Sequence, residues 1–253
     1  LRYEYATPPR ERDNLWANFD PATRRIIEAR DGGLFEEALI HPDRNNFAPR
    51  FGFAYTPMAR TVIRGAYGVF YNHSNRMGRE GLLGFNLPFI VQSDARIGGT
   101  NVLKLRDALF RLQDGIPAAL TDPRRIDPVT TPRKAQDPNQ RSTYVQQWNF
   151  SIQRELATDL LFDVAYVGNK GTKLAAFRNL NQQSVVFSPT TGAPSAGPRP
   201  LASVGLNGNI QLLENLGISN YHSLQGRLEK RFSKGLSALV SYTWGKALTN
   251  SVD

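Results

Sequence analysis

Between residues 144 and 169 apolar and polar side chains alternate with a period of two. One row carries Tyr144, Trp148, Phe150 and Ile152, then Leu160, Phe162, Val164 and Tyr166. The other carries Gln147, Asn149, Ser151 and Gln153, then Asp163 and Asn169. Successive side chains of a strand point to opposite faces, so this pattern predicts a β-hairpin turning near 156–159, with one aromatic face and one polar face. The design recurs. Residues 47–71 place Phe47, Phe51, Phe53 and Tyr55 on one row, turn near 57–60, and return with Ile63, Tyr67, Val69 and Tyr71, opposite Arg50, Gly52, Arg64 and Gly68. Residues 221–246 turn at 233–235, with Leu224, Leu228 and Phe232 before it and Leu236, Ala238, Val240, Tyr242 and Trp244 after it.

The alternation predicts seven strands, near 1–7, 46–56, 61–72, 142–155, 159–169, 220–232 and 236–249. Within each hairpin the connection is about three to five residues, as hairpins prefer. Between hairpins it is long, covering 8–45, 73–140 and 174–218. In an antiparallel up-and-down meander alternate connections lie at one end, so all the long loops share one side and all the tight turns the other. Bacterial membrane barrels sort their loops in this way. The arms, at about 11 to 14 residues, suit a tilted bilayer crossing better than an average soluble strand. The aromatics Tyr55, Tyr71, Tyr144, Phe232 and Trp244 read as interfacial girdles at strand ends. The predicted fold is therefore all-β, an antiparallel meander forming part of a transmembrane β-barrel wall over 1–253. A soluble sandwich, with the same rows turned inside out, stays open on pattern alone.

Composition narrows this only in part. A net charge of +9 and a sequence pI near 10.0 admit an anionic partner such as lipopolysaccharide, an acidic ligand or nucleic acid. The mean hydropathy of −0.40 fits a barrel whose strands are half apolar as well as it fits a soluble chain. No apolar run reaches the roughly 18 residues of a membrane helix. There are no cysteines, hence no disulfides and no thiolate metal sites. The chain starts Leu1-Arg2-Tyr3 and reads as a piece of a longer protein.

Catalytic and metal chemistry finds little purchase. His41, His73 and His222 lack ligand spacing and read as solvated or lumenal. The stretch GNKGTK at 168–173 lacks the phosphate-loop spacing, and no G-x-S-x-G elbow is present. Arg50, Arg64, Arg227 and Arg231 lie on the polar row without an aromatic stacking platform on that row, which argues against a nucleic-acid partner. No enzyme activity and no cofactor are expected. In the second long loop, Val102, Leu105, Leu109 and Leu112 fall at helical spacing between Asn101 and Gly115 and predict a helix. The third loop, SPTTGAPSAGPRP, reads as flexible or extended.

The segments DRNNFAPRFGFAYTP with TVIRGAYGVFYN, QQWNFSIQREL with DVAYVGNKGTKL, and YHSLQGRLEKRFSKGLSALVSYTWGKAL also resemble, in this order, the C-terminal barrel of TonB-dependent outer-membrane receptors. The likeness is to the acidobacterial type carrying a carboxypeptidase-regulatory-like N-terminal domain, and LRYEYATPPRER and NFDPAT fit it too. The resemblance implies a barrel of about 22 strands around a plug domain, driven by TonB, in the bacterial outer membrane. It implies three partners: outer-membrane lipid, the TonB system through a plug, and a nutrient ligand of unknown identity. On that reading Arg50, Arg64, Gln147, Asn149, Gln153, Asp163, Gln225, Arg227, Glu229 and Arg231 are lumen-facing candidates for ligand contact. Two other functions remain: an adhesive or structural surface protein assembling through its strand edges, and a soluble polyanion-binding β-protein.

Overall fold

The computed structural model describes residues 1–33, 35, 37–72, 82–89, 127–129, 131–233 and 235–251. Its strands are β1 (Arg2–Tyr3), β2 (Ala17–Asp20), β3 (Arg25–Glu28), β4 (Phe47–Ala48), β5 (Arg50–Met58), β6 (Thr61–Asn72), β7 (Arg133–Gln136), β8 (Thr143–Ala157), β9 (Leu160–Asn179), β10 (Val185–Phe187), β11 (Pro194–Ala196), β12 (Ile210–Ser233) and β13 (Leu236–Thr249). The main sheet runs β13-β12-β9-β8-β6-β5, each neighbour antiparallel, so the up-and-down meander is present as an open sheet. Above the end of β13 the vacated edge of β12 is taken by β7, which pairs in parallel through Ile210 to Leu213. The predicted strand near 1–7 is reduced to β1, paired with β4 in a small sheet beside the top of β5.

The three tight turns lie together at one end. Glu155 N donates to Arg60 O at 2.9 Å, and Arg231 N donates to Asp159 O at 2.8 Å. Each connection is shorter than expected: the closing pairs Met58↔Thr61, Ala157↔Leu160 and Ser233↔Leu236 leave two residues between them. Residues such as Pro57 and Leu156 belong to the strand and not to the turn. Every one of these hairpins carries a register shift on its incoming strand, between Tyr55 and Met58, Glu155 and Ala157, and Lys230 and Ser233. One extra residue sits there as a bulge, which sharpens the local twist. Pro57 falls inside such a bulge, where its missing N–H removes no ladder bond. Gly235 closes its turn at φ 82°, a left-handed conformation that glycine adopts without a Cβ penalty.

Burial divides the molecule into two regions. On the sheet, Phe51, Val240, Trp244 and Tyr242 are 62–69% exposed. The buried apolar side chains gather instead at the long-loop end. Phe19, Ala135, Ile210 and Leu212 form one core, backed by Ile26, Leu180, Leu201 and Leu206. Ala29, Leu39 and Leu83 form a second, with Trp16, Ile27 and Ile40. The long loops thus fold into a cap. It is built on upward extensions of β9 and β12, which pair as far as Asn179 and Gln211, well beyond the predicted limits 169 and 220.

Three fully buried asparagines tie the cap together. Asn18 Nδ2 donates to the carbonyls of Gln136 and Leu39, and its Oδ1 accepts from Gln136 N. Asn86 bridges Ala17 O and Lys134 O with its Nδ2 and accepts from Lys134 N. Asn181 joins Leu206 O, Gly208 O and Leu201 N in the same manner. Each amide supplies a donor and an acceptor to backbone that lacks a ladder partner, as buried peptide groups require. In the third loop, the stretch read as flexible or extended holds the turn and second strand of the β10–β11 hairpin. The predicted helix between 101 and 115 lies outside the described residues.

Asp43 fastens the first loop to the base of β8. It accepts from Ser142 N at 2.7 Å and from Arg141 Nη1 at 3.0 Å. Burial alone would raise its carboxyl pKa, but these bonds and the Arg141 charge outweigh burial and hold it below the ordinary 3.8. A depressed carboxylate stabilises the fold fully above its unfolded value and loses that contribution as pH falls through the folded one. Acidification below about pH 3.8 is therefore expected to loosen this tie, and Asp43→Asn to remove that step from the pH dependence of proteolysis at 43–142.

Candidate functional site

The ladder registers decide which side chains share a face, because directly paired antiparallel residues point the same way. One row across the sheet reads Gly65↔Phe150, Phe150↔Tyr166, Tyr166↔Leu224 and Leu224↔Trp244. The next row above holds Phe51, Tyr67 and Trp148; the next below holds Ile63, Ile152, Val164 and Tyr242, and beyond it Phe162, Leu228 and Val240 stand level with Arg154. The face is shaped for rings lying across strands. A Cβ on Gly65 would come within 2.5 Å of the Phe53 ring, and one on Gly168 within 2.6 Å of the Trp148 indole. Glycine is needed at both positions so that the aromatic can cover the backbone.

Nine of the ten candidate residues alternate onto the opposite face, Arg231 falling within the bulge between Lys230 and Ser233, and most of them form two groups. Nearer the turns, Arg64 Nη1 donates to Gln153 Oε1 at 2.7 Å, Gln153 pairs with Asp163, Asp163 pairs with Arg227, and Arg227 Nη2 meets Glu229 Oε2 at 2.7 Å. This is a continuous polar belt across β6, β8, β9 and β12. Nearer the loops, the Arg50 guanidinium lies 4.5 Å from the Phe70 ring centroid, and Gln147 stands level with Gly68 and Asn169. Between the groups lies a band of small residues, Gly52, Ala66, Ser223 and Gly245, with Asn149 among them. Gln225 Nε2 donates to Ser223 Oγ at 3.4 Å. Arg231 stands apart at the turn end.

Phe70 was not anticipated on this face, because Val69-Phe70-Tyr71 is apolar throughout and hides the alternation. Of the histidines, His41 is exposed as expected, His73 lies outside the described residues, and His222 falls differently. His222 is on the aromatic face, where it stacks on Tyr166 at 6.1 Å and its Nδ1 shares a 2.6 Å hydrogen bond with the Tyr166 hydroxyl. Parity puts it there, since Leu224 and Leu228 share its row. Trp244, expected at a strand end, stands level with Phe150 in the middle of the ladder. Among the described residues no group of three or more acidic or histidine side chains could hold a metal, and no helix is long and apolar enough to cross a membrane.

The model of the outer membrane beta barrel domain family matches residues 1–253. The chain belongs to this family. An outer-membrane barrel domain places its apolar face against hydrocarbon, which accounts for the exposed rings of a sheet with no core beneath them. The apolar band of this barrel domain ends at the loop side with Gln146, Lys170 and Asn220, and at the turn side with Arg154 and Lys230. Lys230 is neutralised there by Asp159, which also accepts from Ser233. The protein is one of the bacterial outer membrane.

Among solved structures, the barrel domain is similar to the outer-membrane transporter YddB from Escherichia coli (11% identity, TM-score 0.44, 84% of this chain and 21% of that one). It is also similar to the siderophore receptor PirA from Acinetobacter baumannii (12%, TM-score 0.40, 76% and 22%). A third is the ferric enterobactin receptor PfeA from Pseudomonas aeruginosa (13%, TM-score 0.40, 80% and 21%). The chain thus spans about a fifth of the length of these proteins. No curated protein matches it.

Proposed function

We propose that this sheet is part of the wall of a TonB-dependent receptor, that its polar face lines the lumen, and that it takes part in uptake of a nutrient ligand. The observation that carries this reading is the separation of the two faces by register together with the gathering of every long loop at one end. Small residues between two polar groups leave room beside the wall, as packing against an inner plug requires. Arg50, Arg64 and Arg227 present guanidinium donors suited to an acceptor-rich ligand or to plug carboxylates.

The absence of cysteine makes the test direct. With a single Cys introduced, Asn149→Cys is expected to react with a hydrophilic maleimide in outer membranes, and Phe150→Cys, in hydrocarbon, to stay unlabelled. Equal labelling of the two would end the lumen assignment. Energy coupling is tested separately, by retention of the membrane-extracted protein on immobilised TonB. Absence of retention would leave a wall with a passive or adhesive role.

A further inference from the structure

A second polar site lies in the cap, away from the lumen row. A cavity of about 350 Å³ opens where β7 meets the extensions of β9 and β12, and its lining includes Arg133, Lys134, Phe177, Arg178, Asn209 and Gln211. Its hydrogen-bonding capacity is one-sided. Lys134 Nζ donates to Gln211 Oε1. Arg199 Nη1 donates to Asn209 Oδ1 at 2.8 Å, and Asn179 Nδ2 does so at 3.1 Å. A cation can only donate, so it fixes the orientation of each amide and occupies its oxygen. What Asn209 has left to offer a guest is N–H, and Gln211 offers its N–H beside one remaining lone pair.

The charges lean the same way. Arg178 is neutralised by Glu214 through bonds of 2.5 and 3.2 Å. Arg133, only 8% exposed, donates to the carbonyls of Pro128 at 2.5 Å and Thr131 at 3.2 Å. Among the described residues no carboxylate stands at ion-pair distance from Arg133 or Lys134. Burial lowers the pKa of Arg133, and Asp127 offsets that only in part, so the cavity wall carries an incompletely compensated positive charge. Beside these donors Phe177 offers a ring that is 40% exposed.

We propose that this cavity binds an acidic sugar, its carboxylate held by Lys134 in the positive field of Arg133, its hydroxyl oxygens by the Asn209 and Gln211 amides, and its ring face by Phe177. This deepens the uptake reading by naming a ligand class that the outer surface recognises, yet equilibrium binding is measured without TonB and stands or falls by itself. The test is equilibrium dialysis of the full-length protein in detergent against galacturonate, galactose and inorganic phosphate. Galacturonate is expected to bind saturably, with galactose and phosphate each about tenfold weaker or worse, since a charge-assisted contact is lost in one and the ring and hydroxyl contacts in the other. Lys134→Gln is expected to weaken galacturonate about tenfold while heat-modifiable gel mobility stays unchanged. Phe177→Ala should weaken galacturonate and leave phosphate where it was. No galacturonate binding, equal binding of galactose or phosphate, or indifference to Lys134→Gln in the folded protein would each overturn the proposal.

Discussion

Phe150→Arg is expected to cost about 2 to 4 kcal/mol of barrel stability, whereas Asn149→Arg, one residue away, is expected to cost almost nothing. Phe150 occupies a row with Phe53, Gly65, Tyr166, Leu224 and Trp244, flanked by Tyr67 and Trp148 on one side and Ile152 and Val164 on the other. The amide and cationic boundaries, Gln146 with Lys170 on the loop side and Arg154 with Lys230 on the turn side, lie about equally far from this row, so Phe150 stands near mid-depth. A guanidinium there has no water and no partner. The side chain at 149 points the other way, between Ala66 and Val167, where there is space for a long polar residue. The comparison is made by urea titration of each variant folded into lipid vesicles, scored by heat-modifiable mobility. Similar losses for both variants would mean that the two faces are not lipid and water.

The membrane part of this molecule was readable in the sequence because a bilayer imposes a demand that a strand can meet in only one way, with apolar side chains at every second position. The limits of β6 and β13 coincide with the alternation read from the chain, at 61–72 and 236–249. Where the ladder slips, the pattern fails. β12 carries irregularities between Glu214 and Gly217 and again between Gly217 and Ile218. Each shifts the period, so the segment 210–219 reads as loop although it is strand. The tight turns were overestimated for the same reason, since a bulged residue such as Leu156 looks like turn sequence.

The polar face was readable as a row but not as groups. Period two reveals that Arg64, Gln153, Asp163 and Arg227 share a side, yet their assembly into one belt depends on register between strands, and register is set by turn and bulge geometry. The cavity at β7 was not readable at all. Its donors come from 133–134, 177–179 and 209–211, and only the parallel pairing of β7 on β12 brings the first of these beside the others. The cap as a whole was hidden because its cores draw on isolated apolar residues far apart in the chain, such as Phe19, Ala135 and Ile210.

The cap also gives the sharpest local expectation. Asn18→Leu keeps a side chain of similar size at a position with no solvent exposure, but removes the bonds to Gln136 N, Gln136 O and Leu39 O. Each buried peptide group left without a partner costs about 1 to 3 kcal/mol, so the substitution is expected to cost about 3 to 5 kcal/mol in the cap. Asn18 lies on β2, which is not part of the main sheet, so the loss stays local. The barrel should keep its heat-modifiable mobility while the cap opens. Arg24 and Arg25 at the β2–β3 turn provide the reporter, since trypsin would cut there far faster in the variant than in the wild type. Asn86→Leu should behave alike, because Asn86 clamps Ala17 and Lys134 by the same arrangement. A variant at Asn18 that resisted trypsin as well as the parent would show that the cap is held by its apolar clusters alone, and that its buried amides contribute little.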